Sequence, residues 1–138
     1  MRKLLKSFKT EIHPTPEQKC KINKTIGTCR YIYNFYLSQN KELYEKGESF
    51  LSGKSFSIWL NQEYLPRHPE KGWIKEVSSK AVKKAMEDGC TAFTRFFNHQ
   101  SGFPKFKKKE KSDVKMYFVK NNPMDCLCER HRIKIPTL

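Results

Sequence analysis

No stretch of the 138 residues is apolar for long enough to span a membrane. Met1-Arg2-Lys3 is followed by only Leu4-Leu5 before Lys6, so the apolar core of a secretory signal is missing as well. The expected location is cytoplasmic, with no membrane partner. Aspartate is scarce: Asp88, Asp113 and Asp125 are the only three, and no carboxylate set of the kind that holds two magnesium ions stands out. His13, His68, His99 and His131 have no serine or cysteine partner motif for nucleophilic catalysis. The five cysteines are an odd number without framework spacing, which in a reducing compartment implies free thiols. Cys126, Cys128 and His131 offer three zinc-type donors, with Cys20, Cys29 or Cys90 as a fourth, but zinc pairs usually separate their cysteines by two residues and here only Leu127 intervenes. No metal, cofactor or enzymatic reaction is therefore expected from the residues themselves, and no internal repeat is present.

What the chain has is positive charge. Lysine and arginine total 28 against 14 acidic residues, a net charge of +14 with a pI near 9.7. An excess of this size points to a polyanionic partner, because it exceeds what solubility requires and acts as an electrostatic footprint for phosphates. The alternative is a basic soluble protein with solvated charged faces. Aromatic residues make up 13% of the chain, which argues against a disordered basic tail.

Periodicity divides the chain into strands at both ends and helices between. From Lys3 to Ile12, residues Leu4, Phe8 and Ile12 share one face of a period-two pattern, which reads as a strand ended by His13-Pro14. Thr15-Pro16-Glu17-Gln18 combines a capping hydroxyl, a proline whose missing N–H costs nothing in the first turn, and glutamine at the capping-box position. The helix it starts continues to about Lys46, with Ile22, Ile26, Cys29, Tyr33 and Tyr36 in one stripe; Tyr31, Ile32, Phe35 and Leu37 widen the apolar surface, so more than one neighbour must pack on it. Gly27, mid-helix, suggests a close contact or a kink. A short helix is expected from Ser55 to Leu65, stopped by Pro66, followed by a turn-rich stretch from Arg67 to Gly72 and by Trp73-Ile74 docking on the core. Ser78 or Ser79 caps a last helix, in which Val82, Ala85, Met86, Gly89, Phe93, Phe96 and Phe97 recur at steps of three and four, with Gly102 taking the left-handed position after it. After Lys111 alternation returns, giving strands near 114–119, 126–128 and 132–136. The expected fold is α+β: a small antiparallel barrel or sheet built from residues 1–13 and 102–138, with residues 14–101 inserted as a three-helix bundle.

The helical stripe leads into Gly102-Phe103-Pro104-Lys105-Phe106-Lys107-Lys108-Lys109, where two rings stand among four lysines. Such a stretch suits a polyanion with flat bases, because ammonium groups meet phosphates while rings can stack. Arg2, Lys3, Lys6 and Lys9 form a second basic cluster. Arg30 and Asn34 lie one helical turn apart and can hold a phosphate or a base edge, or bind neighbouring backbone; the spacing favours the second use.

Several segments together resemble the N-terminal part of the TnpB (OrfB) family, transposon-encoded proteins related to miniature type V CRISPR effectors. They are Thr15-Pro16-Glu17-Gln18; Gly27 to Asn34 (Gly-Thr-Cys-Arg-Tyr-Ile-Tyr-Asn); Trp73-Ile74-Lys75-Glu76-Val77; Ala92-Phe93 with Phe96-Phe97; Gly102 to Lys107; and Ile133-Lys134-Ile135-Pro136, in family order. The resemblance implies a wedge-like β-barrel with an inserted recognition domain, which binds a structured guide RNA and reads target-adjacent duplex DNA. The same stretch in the family has also been described as helix-turn-helix, and a stand-alone helix-turn-helix DNA-binding regulator is the competing reading. Motif reading would fall on Ser52, Lys54 and the helix start to Ser57, on Ser79, Lys80 and Lys83, and on Lys120 and Asn121; RNA contact would fall on Lys105, Lys107 and Lys108, with Arg2 and Lys9 as weaker sites. Val82-Lys83 stands where the family often has Leu-Gln. In the family the Ile-Pro-x-Leu segment leads into a RuvC-like nuclease domain with metal-binding carboxylates, which have no counterpart up to Leu138, so cleavage is not expected here and a separate RuvC-like portion would be a partner.

Overall fold

The computed structural model describes residues 3–109, 116, 118 and 128–135. Helix α1, Pro16–Glu45, is one element of 30 residues, on the order of 45 Å long. Its start is the expected capping box: the Thr15 hydroxyl accepts from the Gln18 N–H, and the Gln18 side chain accepts from the Thr15 N–H at 2.9 Å. Gly47, with φ of 69°, provides the left-handed turn after it.

Helix α2 spans Gly53–Trp59, capped by the Ser52 hydroxyl. The chain then widens into a π turn at Leu60–Tyr64, in which the Leu65 N–H donates to the Leu60 carbonyl five residues back, and closes with the single turn α3, Leu65–Arg67. Pro66 therefore does not stop the helix as expected. Its ring would clash with the carbonyl four residues earlier, and the wider π spacing just upstream makes room for it. The stretch expected as a turn-rich linker is a 3-10 helix, Pro69–Glu76. Helix α4 spans Ser79–Phe97; Ser78 stands at its N-cap without a side-chain capping bond, and the left-handed residue after it is His99, φ 59°, not Gly102.

Helices α1 and α4 form the centre and run parallel. Cys29 meets the Ala81 carbonyl, Tyr36 lies against Gly89 and Phe93, and Tyr44 reaches Phe96, so residue numbers rise together along both. Parallel neighbours need a connection that returns the length of the helix, and residues 46–78 supply it. The return path covers the other apolar flank of α1: Tyr31 packs edge-on against Trp73 at 4.9 Å, and Phe35 against Tyr64 at 4.8 Å. Two neighbours on one helix is what its wide apolar surface requires. Ile32, Tyr36, Leu37, Phe56, Leu60, Met86 and Phe93 are almost completely buried.

Asn40, buried in this core, was not singled out by sequence. Its side chain accepts from the Leu51 N–H at 2.8 Å and donates to the Leu51 carbonyl at 3.2 Å, while the Tyr36 hydroxyl donates to the same carbonyl at 2.7 Å. The loop before α2 is thereby fastened by satisfied polar groups.

The α+β expectation is overturned. The described residues contain no strand, sheet or barrel, only an isolated antiparallel bridge between Cys128 and Ile133. Residues 3–12 have no regular structure, and Leu4, Leu5 and Phe8 are 81%, 99% and 89% exposed. Alternating polarity becomes a strand only where a partner strand supplies hydrogen bonds and a covering face, and no described residue does so here. The expected strands at 114–119 and 126–128 lie largely outside the described residues. Among the described residues no helix is long and apolar enough to cross a membrane.

Candidate nucleic-acid interface

The basic segment after α4 is laid along α1 and held at two points. At one end the Phe103 ring packs against Phe93, Phe96 and Tyr44, with ring centres 5.5, 5.1 and 5.7 Å away. At the other, the Asn34 carboxamide grips the backbone of Lys107: its Nδ2 donates to the Lys107 carbonyl at 2.9 Å and its Oδ1 accepts from the Lys107 N–H at 2.8 Å. This two-bond exchange is what a neighbouring strand would offer. The Lys107 ammonium lies 4.1 Å from the centre of the Tyr33 ring, a cation–π contact. Burial pushes the Cys29 thiol up to about 11, and the Lys107 charge acts on it in the opposite sense.

The two anchors set the path. Tyr44 and Asn34 are ten residues apart on α1, roughly 15 Å, and the four steps from Phe103 to Lys107 reach at most ~14 Å. The segment therefore runs antiparallel to α1. Lys105, Phe106, Lys108 and Lys109 are exposed, whereas Lys107 is half-buried by its contacts. Arg30, half-buried one turn before Asn34, shares its helical face. The Asn34 side chain thus takes the backbone-binding role.

A second group forms where α2 meets the start of α4. Ser57, Asn61, Lys75, Ser79 and Lys83 rim a cleft of about 290 Å³ whose floor includes Leu60 and Met86. Ser57, Ser79 and Lys83 were expected from sequence; Asn61 and Lys75 were not, because only the fold brings them beside α4. Asn61 donates to the Ser57 carbonyl at 2.9 Å, one turn back. The Ser52 hydroxyl is engaged in capping α2, and Lys54 is exposed in the first turn of that helix. Lys80 is half-buried in the first turn of α4. Lys9 is exposed in the irregular stretch before α1. Arg2, Lys120 and Asn121 lie outside the described residues, as does Cys126 of the cysteine and histidine group.

The charge, the anchored basic segment and the helical scaffold have the character of a nucleic-acid-binding domain. A family model described as a helix-turn-helix domain, of the OrfB type, matches residues 1–49. The chain is 28% identical over 115 residues to "Putative RNA-guided DNA endonuclease InsQ" of Escherichia coli (strain K12), covering 83% of this chain and 28% of that protein. A protein of Streptomyces pristinaespiralis, also named for RNA-guided DNA endonuclease activity, is 26% identical over 125 residues, with 88% and 30% covered. Virulence protein VsdF of Salmonella dublin is 32% identical over 113 residues, 77% of this chain and 95% of that protein. The chain belongs to the TnpB (OrfB) family. It spans less than a third of the length of the two nuclease-named relatives. Within the stretch matched as helix-turn-helix, the described residues hold a single long helix, α1, preceded by an irregular segment.

Replacing Asn34 tests its grip directly. Asn34→Ala removes both the donor to the Lys107 carbonyl and the acceptor of the Lys107 N–H; a lost bond to a half-buried group costs about 1–3 kcal/mol. The expected result is rapid amide exchange at Lys107 with little change at residues 29–33, read by hydrogen exchange.

Proposed function

We propose that this chain is the nucleic-acid-binding part of a TnpB-like protein, equivalent to its wedge and recognition portions. A structured guide RNA is held on the surface formed by Arg30 and the segment Lys105 to Lys108, with Arg2 and Lys9 adding charge. Target-adjacent duplex DNA is read at the cleft of Ser57, Ser79 and Lys83, with Lys54, Lys80, Lys120 and Asn121 as further contacts. The observation that supports this most is the lysine-rich segment fastened at both ends to α1, since a pre-ordered basic track loses less entropy on meeting a phosphate backbone. Cleavage is assigned to a RuvC-like portion and not to these residues.

The test is a gel-shift titration at two salt concentrations with the RNA encoded beside the gene, a scrambled RNA of equal length, and duplex DNA. Preference for the neighbouring RNA, weakening steeply with salt, is the expected result. Preference for short duplex DNA by a dimer would instead favour the stand-alone helix-turn-helix regulator. The 3-10 helix between α3 and α4 speaks against that reading, because it separates those helices by far more than a tight turn.

A further inference from the structure

Along the segment Phe103, Pro104 and Lys107 are half-buried, whereas Lys105, Phe106, Lys108 and Lys109 are exposed. Phe103 and Lys107 both turn toward the helices, where their contacts with Phe93 and Tyr33 place them. Phe106 and its neighbours Lys105 and Lys108 are left facing solvent. Phe106 is 47% exposed, and among the described residues neither an aromatic partner nor a place in the buried cluster accounts for it. It is also one residue from the backbone position that Asn34 holds by two hydrogen bonds. An exposed ring whose backbone is already fixed, flanked by exposed Lys105 and Lys108, combines a flat apolar surface with cations on either side.

We infer that Phe106 is a base-stacking residue that takes an unpaired nucleobase, while Lys105 and Lys108 meet the adjoining phosphates; this rests on the nucleic-acid-binding reading above. The ligand is argued from chemistry. A duplex offers its base faces only at its ends, whereas a loop or single strand exposes them along its length, and every base has a face that an aromatic ring can cover. Salt-bridge partners or a peptide would have no use for a ring between two ammonium groups at this spacing. Leu4, Leu5 and Phe8 are more exposed than Phe106, but they lie on a segment that nothing in the described residues holds, so ordering them would cost about 1–2 kcal/mol per residue. Phe106 avoids most of that cost. Asn34 is then a positioning residue for the ring, acting through Lys107.

The experiment uses the full chain and a hairpin RNA carrying 2-aminopurine either in its loop or in its stem. Stacking on Phe106 quenches the loop analogue and leaves the stem analogue unchanged. Phe106→Leu, at an exposed site, should leave the melting temperature unaltered, abolish the loop quench and weaken binding about tenfold. Phe106→Trp should retain both. A parallel series with single-stranded DNA of the same loop sequence distinguishes the two sources of an unpaired base, and equal quenching there places the recognition on the base alone. If Phe106→Leu binds the hairpin as tightly as the parent chain and quenches as well, the inference falls while the nucleic-acid-binding reading stands. If the parent chain binds neither RNA nor DNA, both fall.

Discussion

Replacing Lys105, Lys107 and Lys108 together by glutamine should remove most of the salt sensitivity of RNA binding. Each phosphate neutralised by a lysine releases condensed counterions, so the slope of log affinity against log salt counts such contacts, at about 0.7 per contact for single strands and 0.9 for duplex DNA. Three lost contacts should flatten the slope by roughly two to three units and weaken binding by on the order of a hundredfold near 0.1 M salt. The three residues do not carry equal weight. Lys107 spends part of its charge on the Tyr33 ring, so Lys107→Gln should also loosen the segment, whereas Lys105→Gln should act on affinity alone. Isothermal titration at four salt concentrations, with melting temperatures for each variant, separates the two effects. An unchanged slope in the triple variant would move the phosphate track elsewhere on the chain.

The largest effect on stability is expected at the closest approach of α1 and α4. Tyr36 is completely buried; its ring contacts Phe56 and Phe93 and its hydroxyl is tied to Leu51. Burial pushes its phenol well above the usual tyrosine range. Tyr36→Ala removes a large side chain from a packed centre and leaves the Leu51 carbonyl with one partner fewer, which should cost about 3–5 kcal/mol. That is about a fifth or more of the stability ordinary for a domain, about 5–15 kcal/mol. Gly89→Ala tests the same contact from the other side. In an open helix interior the change would gain up to about 1 kcal/mol, but a Cβ at Gly89 would stand 2.5 Å from Tyr36 Cδ1. The ring cannot swing aside without breaking its bond to Leu51. Overpacking of this kind costs about 1–3 kcal/mol, so the net expected sign is destabilising. Urea denaturation of the two variants checks both, and a stabilised Gly89→Ala would show that the helices can separate at no cost.

Much of the helical architecture was legible in the residues, because its signals are local. The capping box at Thr15 to Gln18, the apolar stripe of Ala85, Met86 and Phe93, and the two-sided apolar surface of α1 each follow from spacing and side-chain chemistry within one element. The lysine-rich run and its interleaved rings were equally plain. Sequence also narrowed Asn34 to a backbone partner or a base edge. Glycine was read less well. A Cβ at Gly27, where a close contact or a kink was expected, would meet only the end of the Arg30 side chain, at 3.9 Å, whereas the tight approach falls at Gly89. Both sit inside helices, and only the partner helix decides which one is pressed.

Spacing and side-chain chemistry within a few positions thus settled α1, α2 and α4, their buried faces and the positive charge. Tertiary structure alone decided that residues 3–12 stay irregular, that α1 and α4 run parallel, that Asn61 and Lys75 join the cleft, and that Lys107 comes to rest on Asn34, 73 positions away in the chain. Each of these is a pairing between distant segments, and a pairing exists only where the partner's geometry and hydrogen-bonding groups are in place to complete it.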